Sequence, residues 1–225
     1  MVADQAIRQG VDPNFALAIA EQARKLAPGV RCIFVCSHRP LDSQILTKEG
    51  AEFRVVPAMP FGVRPRALVR FARSWGPSIR AGRALIRECR ASGSDVRVIA
   101  MGGFVAAPIA HAAVAERATL LLVNMDAIPG KANRWIARKA DRIVTSAPVE
   151  GEPWERIPPI VRAAALASKD AGECRRALGM NAERQTLLVT GASQGAKSIN
   201  QLLISLVDSK PDVFRDWQVI HQTGA

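Results

Sequence analysis

The sequence predicts an α/β fold in which short parallel strands alternate with helices. Short apolar segments rich in Val, Ile and Leu alternate with longer segments whose apolar residues recur at helical spacing. Several apolar segments run into a glycine or proline turn before the next helical segment, as the strands of βαβ units do. Strands joined in this way pair in parallel, so we expect parallel sheets with helices on both faces.

The elements follow in order along the first two thirds of the chain. We expect helices at 13–26, 41–50, 104–116 and 130–140, and basic helices within 61–90. We expect strands at 30–37, 51–58, 95–103 (with its glycine turn), 118–126 and 141–147.

A proline-rich stretch divides the chain into two predicted domains. Residues 147–165 contain four prolines and break the alternation, so we interpret them as the approach to a linker. A second unit then follows with a helix at 171–180, a strand and helix within 187–200, and a strand at 217–222. We therefore predict domains at 1–162 and 163–225. The first lacks the opening strand typical of such folds and the second stops after about two strands, so we expect both to be incomplete.

Composition narrows the class of protein. No apolar segment approaches the ~20 residues that span a bilayer, and no secretory leader is visible, so we expect a cytoplasmic protein. The four cysteines are scattered, and the chain has three histidines, which favours neither a disulfide framework nor a metal site. We expect no metal and no cofactor.

The segment 61–90 concentrates positive charge. It holds eight arginines against a single acidic residue, in a chain whose formal net charge is +11. Such a field suits nucleic acid, an anionic membrane or phosphorylated substrates. An apolar stripe at helical spacing runs through this segment. The stripe fits two hypotheses equally: a helix that lies in a membrane interface, and an ordinary helix whose stripe packs on the core. The stripe is Leu68, Phe71, Ala72 and Trp75, flanked by Arg66, Arg70 and Arg73.

The stretch "LLVTGASQGAKSIN" at 187–200 has the pattern of a strand, a tight glycine turn and a helix. Three chemistries use this shape: a serine-hydrolase elbow centred on Ser193, a dinucleotide-binding turn, and a helix N-terminus that holds phosphate. The dehydrogenase reading is disfavoured because Lys197 stands where a further glycine is needed and the chain has no tyrosine. A hydrolase would need His221 as its base, only 28 residues after the serine. The phosphate site needs only the features present, and we favour it.

Five stretches in register resemble the MurG family of peptidoglycan glycosyltransferases. They are "MGGFVAAP" (101–108), "DAIPGKANRWIARKADRIV" (126–144), "PPIVR" (158–162), "GASQGAKSIN" (191–200) and "VIHQTG" (219–224). The resemblance implies the GT-B architecture of two Rossmann-like domains. It also implies inverting transfer of N-acetylglucosamine from UDP-N-acetylglucosamine to the muramoyl sugar of a polyprenyl diphosphate, by a peripheral protein at the inner face of the plasma membrane.

The resemblance also assigns residues to roles. Ser193, Gln194 and Gly195 match the donor-phosphate turn, Arg162 matches a donor-binding arginine, and Asp126 stands where the family has a donor-site asparagine. Gly102 and Gly103 match the loop near the acceptor diphosphate. The segment 61–75 falls where the family docks on the membrane. The partners implied are therefore the nucleotide sugar, the glycolipid acceptor and an anionic membrane, but no nucleic acid.

Two departures from the family pattern bear on catalysis. The family's first glycine loop ends in a histidine, whereas this chain has "IRQGVDP" there and places Asp12 at the histidine position. The half of the C-terminal domain that completes the uridine pocket has no counterpart in the 225 residues. An alternative function is therefore a non-catalytic protein that binds an anionic membrane or a lipid-linked diphosphate through its basic N-terminal domain.

Overall fold

The computed structural model describes residues 13–191 and 195–224. The chain divides into two compact units, one ending at Ala165 and the other beginning at Leu166. Within the described ranges, no helix combines the length and apolar character needed to cross a membrane.

The first unit alternates helices and strands as the sequence predicts. Its helices are α1 (Pro13–Leu26), α2 (Pro40–Lys48), α3 (Pro65–Ala91), α4 (Gly103–Ala115) and α5 (Lys131–Ala137). Its strands are β1 (Phe34–Cys36), β2 (Phe53–Val55), β3 (Arg97–Ala100), β4 (Thr119–Asn124), β5 (Arg142–Thr145) and β6 (Glu155–Arg156).

All strand pairs of this unit are parallel, which confirms the predicted α/β class. β1 pairs with β2, and a four-stranded sheet has the order β3-β4-β5-β6. Since β3, β4 and β5 follow one another in both sequence and space, their right-handed crossovers place α4 and α5 on the same face. The main core lies between that face and the helices, around Leu120, Leu122 and Ile136, which are 0–1% exposed.

Helix α3 is one continuous helix of 27 residues, although it contains Pro77. Its buried face repeats every fourth residue with mostly small side chains: Ser74, Ser78, Gly82 and Ile86. A Cβ at Gly82 would lie 2.9 Å from both Ala112 and Ile109 of α4, so glycine is what lets the two helices approach closely. The apolar stripe predicted from the sequence is thus not the face that packs on α4.

The second unit is small. It comprises α6 (Ala171–Ala177), β7 (Gln185–Thr190), α7 (Lys197–Ser209) and β8 (Trp217–Gln222), with β7 parallel to β8. Among its described residues, Leu203 is the single buried hydrophobic side chain, and it keeps 9% of its surface exposed. Leu188, Leu202 and Ile204 are each more than half exposed.

Two features differ from the sequence-based expectations. Strands β1 and β2 have three residues each where eight were expected, since only these residues pair with a neighbouring strand. Strand β6 lies inside the proline-rich segment 147–165 and was not expected. Its residues are exposed, and Glu155 joins Arg142 of β5 through bonds of 2.9 and 2.7 Å.

Candidate functional site

The candidate site lies where β3, β4 and β5 end at the same edge of the four-stranded sheet. After β3 the chain turns through Gly102 and Gly103, whose φ angles are 96° and 73°, and then begins α4. Both angles lie in the left-handed region that glycine adopts without steric cost. Gly102 has no side chain to cap α4, so the first N–H groups of the helix are left to bind another acceptor.

Three buried polar side chains form a hydrogen-bond network next to this glycine turn. Asn124 ends β4, Thr145 ends β5 and Asn133 lies in α5; all three are at most 4% exposed. The Asn133 amide donates to Asn124 Oδ1 at 2.9 Å, and the Asn124 amide donates to Thr145 Oγ1 at 3.0 Å. The network therefore ties the ends of two strands to the helix between them.

The direction of these hydrogen bonds is fixed by two backbone carbonyls. Asn124 Nδ2 also donates to the Asp126 carbonyl at 2.6 Å, and Thr145 Oγ1 donates to the Ala147 carbonyl at 2.7 Å. Because a carbonyl can only accept, the Asn124 Nδ2 group must face Asp126 and Thr145, which turns Asn124 Oδ1 toward Asn133. Asn133 must then donate through its Nδ2, and its Oδ1 receives no hydrogen bond from this network. This oxygen has no hydrogen-bond partner among the described residues.

This unpaired oxygen lies against the glycine turn. A Cβ built on Gly102 would lie 2.6 Å from Asn133 Oδ1, so no larger residue fits at position 102 without displacing the Asn133 amide. The sequence analysis found the glycines but missed Asn124, Asn133 and Thr145. The available signal was that two of them are polar residues at the ends of successive predicted strands.

Asp126 is exposed and lies two residues beyond β4, at the same edge of the sheet as the glycine turn. The structure therefore brings Asp126, Gly102 and Gly103 to one edge. Asp12, predicted at the catalytic position, lies outside the described residues.

The second unit holds the other predicted phosphate turn. Ser193 and Gln194 lie outside the described residues. Gly195 has φ 70°, and the Thr223 carbonyl and Gly224 leave no room for a Cβ there. No described side chain caps the N-terminus of α7, which begins two residues later. The serine-hydrolase hypothesis would need His221 as its base. The imidazole Nε2 of His221 lies 2.9 Å from the side-chain oxygen of Asn200, so this nitrogen is in hydrogen-bond contact with Asn200.

Among the described residues, the side chain of Arg162 contacts residues of α1 and the residue that follows α2. Its guanidinium donates to Glu21 at 2.9 Å, to Glu49 at 2.6 Å and to Asn14 at 3.3 Å, while the N–H of Ala163 donates to Glu21 at 3.1 Å. The hydrogen bond from the Ala163 N–H and the one from Arg162 lower the pKa of Glu21. The hydrogen bond from Arg162 lowers the pKa of Glu49. Direct contact between Arg162 and the donor stays a prediction.

The predicted membrane-facing residues separate into two groups. Phe71 and Trp75 are half-buried in a series of aromatic contacts, with ring centroids 5.4 Å apart, and Trp75 continues to Trp135 of α5 at 6.2 Å. Leu68 is 46% exposed, and the three flanking arginines are exposed as well. The outward surface here thus combines Leu68 with Arg66, Arg70 and Arg73, together with the neighbouring Phe61, Val63 and Val69.

The part of the chain that the structure describes contains no candidate metal-binding site. No group of three or more His, Cys, Asp or Glu side chains there is placed to hold an ion.

Fold and site together define an α/β protein of Rossmann type, with a glycine turn and an uncapped helix at the carboxyl edge of its sheet, where such folds bind ligands. The profile of the glycosyltransferase family 28 N-terminal domain matches residues 12–145, and the chain belongs to this family. This confirms the family that the five stretches predicted.

Similar proteins are longer than this chain. It is 34% identical over 206 residues to the UDP-N-acetylglucosamine--N-acetylmuramyl-(pentapeptide) pyrophosphoryl-undecaprenol N-acetylglucosamine transferase of Clavibacter michiganensis, covering 87% of this chain and 54% of that protein. The protein of the same name from Leifsonia xyli is 32% identical over 218 residues, covering 94% and 59%. The chain thus spans somewhat more than half the length of these relatives.

A solved structure supports the fold. The crystal structure of Acinetobacter baumannii MurG matches with a TM-score of 0.62 and 17% identity, covering 96% of this chain and 65% of that one. At this identity the similarity establishes the fold alone, since one fold hosts many functions.

Proposed function

We propose that this chain forms the acceptor side and the beginning of the donor side of an inverting glycosyltransferase. It would move N-acetylglucosamine from UDP-N-acetylglucosamine to a polyprenyl-diphosphate-linked muramoyl acceptor in peptidoglycan synthesis. Membership of family 28 supports the reaction class, and the printed names of the relatives supply donor and acceptor.

The observation that carries the proposal is the glycine turn on its buried polar network. The turn exposes the positive end of α4, a helix of 13 residues, at the carboxyl edge of a parallel sheet. Backbone N–H groups at such an end favour phosphate oxygens, so the acceptor diphosphate is the part of the substrate we place here. Asp126, exposed at the same edge, would approach the donor.

The donor diphosphate would bind the turn that contains Ser193, Gln194 and Gly195, at the start of α7. In the reaction, an acceptor hydroxyl attacks the anomeric carbon while the bond to UDP breaks on the opposite face, so the configuration inverts. The hydroxyl proton must pass to a base and the leaving diphosphate must be stabilised. Asp12 stands at the position that would supply the base.

The membrane side of the proposal depends on α3. The exposed arginines and apolar residues of its N-terminal half suit the surface of an anionic bilayer. We place the protein at the cytoplasmic face of the plasma membrane as a peripheral protein, where a lipid-linked acceptor is within reach.

Calorimetric titration of UDP-N-acetylglucosamine into the chain, with UDP as reference ligand, tests the donor side. We expect saturable binding with a Kd on the order of 1 μM to 1 mM. Ser193→Ala should weaken binding, because it removes a hydroxyl from the phosphate turn. Ser209→Ala, at the far end of α7, should leave binding unchanged.

Equal binding by the Ser193→Ala variant would remove this residue from the donor site. Absence of any binding by the folded chain would instead favour the non-catalytic alternative, in which the basic first unit binds membranes or lipid-linked diphosphate.

A further inference from the structure

A cleft of about 570 Å³ lies in the first unit, between the end of α5 and the segment that leads into β6. We call it the α5–β6 cleft. Arg142 and Glu155, which begin β5 and β6, line it, so it lies at the amino edge of the four-stranded sheet. The glycine turn lies at the opposite, carboxyl edge, where folds of this type bind their substrates. The cleft is therefore separate from the candidate site, and its volume suits a small organic molecule.

Part of the lining of the α5–β6 cleft is apolar. Ala137, Ala140 and Ile143 line it and also pack against the main hydrophobic cluster of the unit. Trp154 lines it as well, is partly exposed, and makes no ring contact with another aromatic side chain that the structure describes. The indole face is thereby open to a planar apolar group, which aromatic side chains bind by stacking.

Two guanidinium groups on the α5 side have capacity for an anion. Arg134 and Arg138 are exposed, and they lie one helical turn apart where α5 ends. Among the described residues, the Arg134 guanidinium donates only to the Pro129 carbonyl, through Nε at 3.1 Å, and Arg138 makes no side-chain hydrogen bond or ion pair. The remaining N–H groups of the two side chains suit the oxygens of a carboxylate or a phosphate.

The carboxylates that line the cleft are mostly engaged. Glu155 binds Arg142 through both oxygens, at 2.7 and 2.9 Å. Asp141 accepts the N–H of Leu120 at 2.7 Å, whereas Glu152 makes no side-chain hydrogen bond or ion pair with the residues described. Since guanidinium and indole N–H groups can only donate and one carboxylate is left unpaired, the cleft favours a ligand that accepts hydrogen bonds. In a chain of net charge +11, an anion meets this requirement best.

We propose that the α5–β6 cleft binds a small organic anion that carries a planar ring. The carboxylate or phosphate of the ligand contacts Arg134 and Arg138, and its ring lies against Trp154 and the apolar lining. The proposal does not depend on the proposed function, because the cleft and the glycine turn lie at opposite edges of the sheet.

Three probes of one shape and different charge test the proposal: 2-naphthoate, 2-naphthalenemethanol and 2-naphthylmethylamine. Each is titrated into the chain and followed by saturation-transfer NMR of the probe. We expect a Kd on the order of 1 mM for 2-naphthoate, as for a good ligand of this size. The neutral alcohol should bind about fivefold more weakly, because it lacks the charge that the two guanidinium groups attract, and the amine more weakly still.

Variants locate the binding. R134Q/R138Q should weaken 2-naphthoate about fivefold and leave the alcohol unchanged, whereas Trp154→Leu should weaken both probes, because it removes the stacking surface. Glu152→Gln should tighten 2-naphthoate about twofold, since it removes a like charge. The matched control is R24Q/K25Q, which removes two exposed charges from the end of α1 and should leave both probes unchanged.

Binding of the amine or the alcohol as tight as that of 2-naphthoate overturns the proposal. Unchanged binding of 2-naphthoate by R134Q/R138Q also overturns it, as does equal weakening by R24Q/K25Q, which would indicate a response to net charge alone. Absence of 2-naphthoate binding by the folded, unmodified chain at up to about 10 mM would rule out the site as well.

Discussion

Asn133 determines what residue the glycine turn can hold. Its buried Oδ1 accepts no hydrogen bond from any described residue, a state that costs about 1–3 kcal/mol in typical proteins. The rest of its network is fully engaged, so the amide cannot rotate to relieve this cost without breaking the bond to Asn124. The space that this amide leaves free is large enough for glycine only.

Gly102→Ala should therefore destabilise the chain by about 2–4 kcal/mol, from the unfavourable φ of 96° together with the contact to Asn133. Gly93→Ala is the matched control, since Gly93 has φ 80° and nothing within 4 Å of a Cβ. We expect it to cost about 1–2 kcal/mol. Urea unfolding measures both, and equal losses would show that the contact with Asn133 contributes nothing.

At the scale of elements, α3 packs on the core with one set of residues and exposes another set to the surface. Its small side chains pack on α4, and near its C-terminal end Arg87 and Arg83 bind Glu116, lowering the pKa of that carboxyl to about 2. The N-terminal half leaves Leu68 and its flanking arginines outward. The helix is thereby fixed at one end and available for contact at the other.

Replacing Arg66, Arg70 and Arg73 together by Gln should weaken binding to anionic phosphatidylglycerol vesicles roughly 100-fold at low salt, at about 1 kcal/mol per charge. The control removes three exposed charges elsewhere, Arg24, Lys48 and Arg138, and should have a much smaller effect. Co-sedimentation measures both. Equal weakening would indicate a response to net charge alone, and absence of binding by the unmodified chain would remove the membrane role.

The sequence predicted most elements of the first unit because their signals are local. The apolar run of β4 covers six residues and the almost continuously apolar stretch of α4 covers 13. β6 could not be predicted, since Glu155 and Arg156 have no apolar pattern and form a strand only by pairing with β5. The polar network was missed for a similar reason: Asn124 and Asn133 are nine residues apart and Thr145 is 21 residues beyond Asn124, so only the folded sheet shows that they meet.

At the scale of the whole molecule, the two units differ in how much apolar surface they bury. The described residues of the first unit form three hydrophobic clusters, with Leu120 and Leu122 of β4 at 0–1% exposure. The second buries Leu203 alone among its described hydrophobic residues, and leaves Leu188 of β7 63% exposed. Because burial of apolar surface is the main source of stability, the two units should differ in local stability.

Hydrogen exchange of the unmodified chain tests this difference on two strands of equal length. β4 and β7 have six residues each and pair in parallel, but β4 is buried and has a partner strand on both sides, whereas β7 is more exposed and pairs with β8 alone among the described strands. We expect amides of β7 to exchange at least about tenfold faster than those of β4, because opening the second unit exposes little additional apolar surface. Equal protection of the two strands would mean that the backbone bonds between β7 and β8 are stabilised by something other than the apolar contacts of their own unit.

Addition of saturating UDP-N-acetylglucosamine should slow exchange in β7 and in the start of α7 more than in β4, since a ligand stabilises the state that binds it.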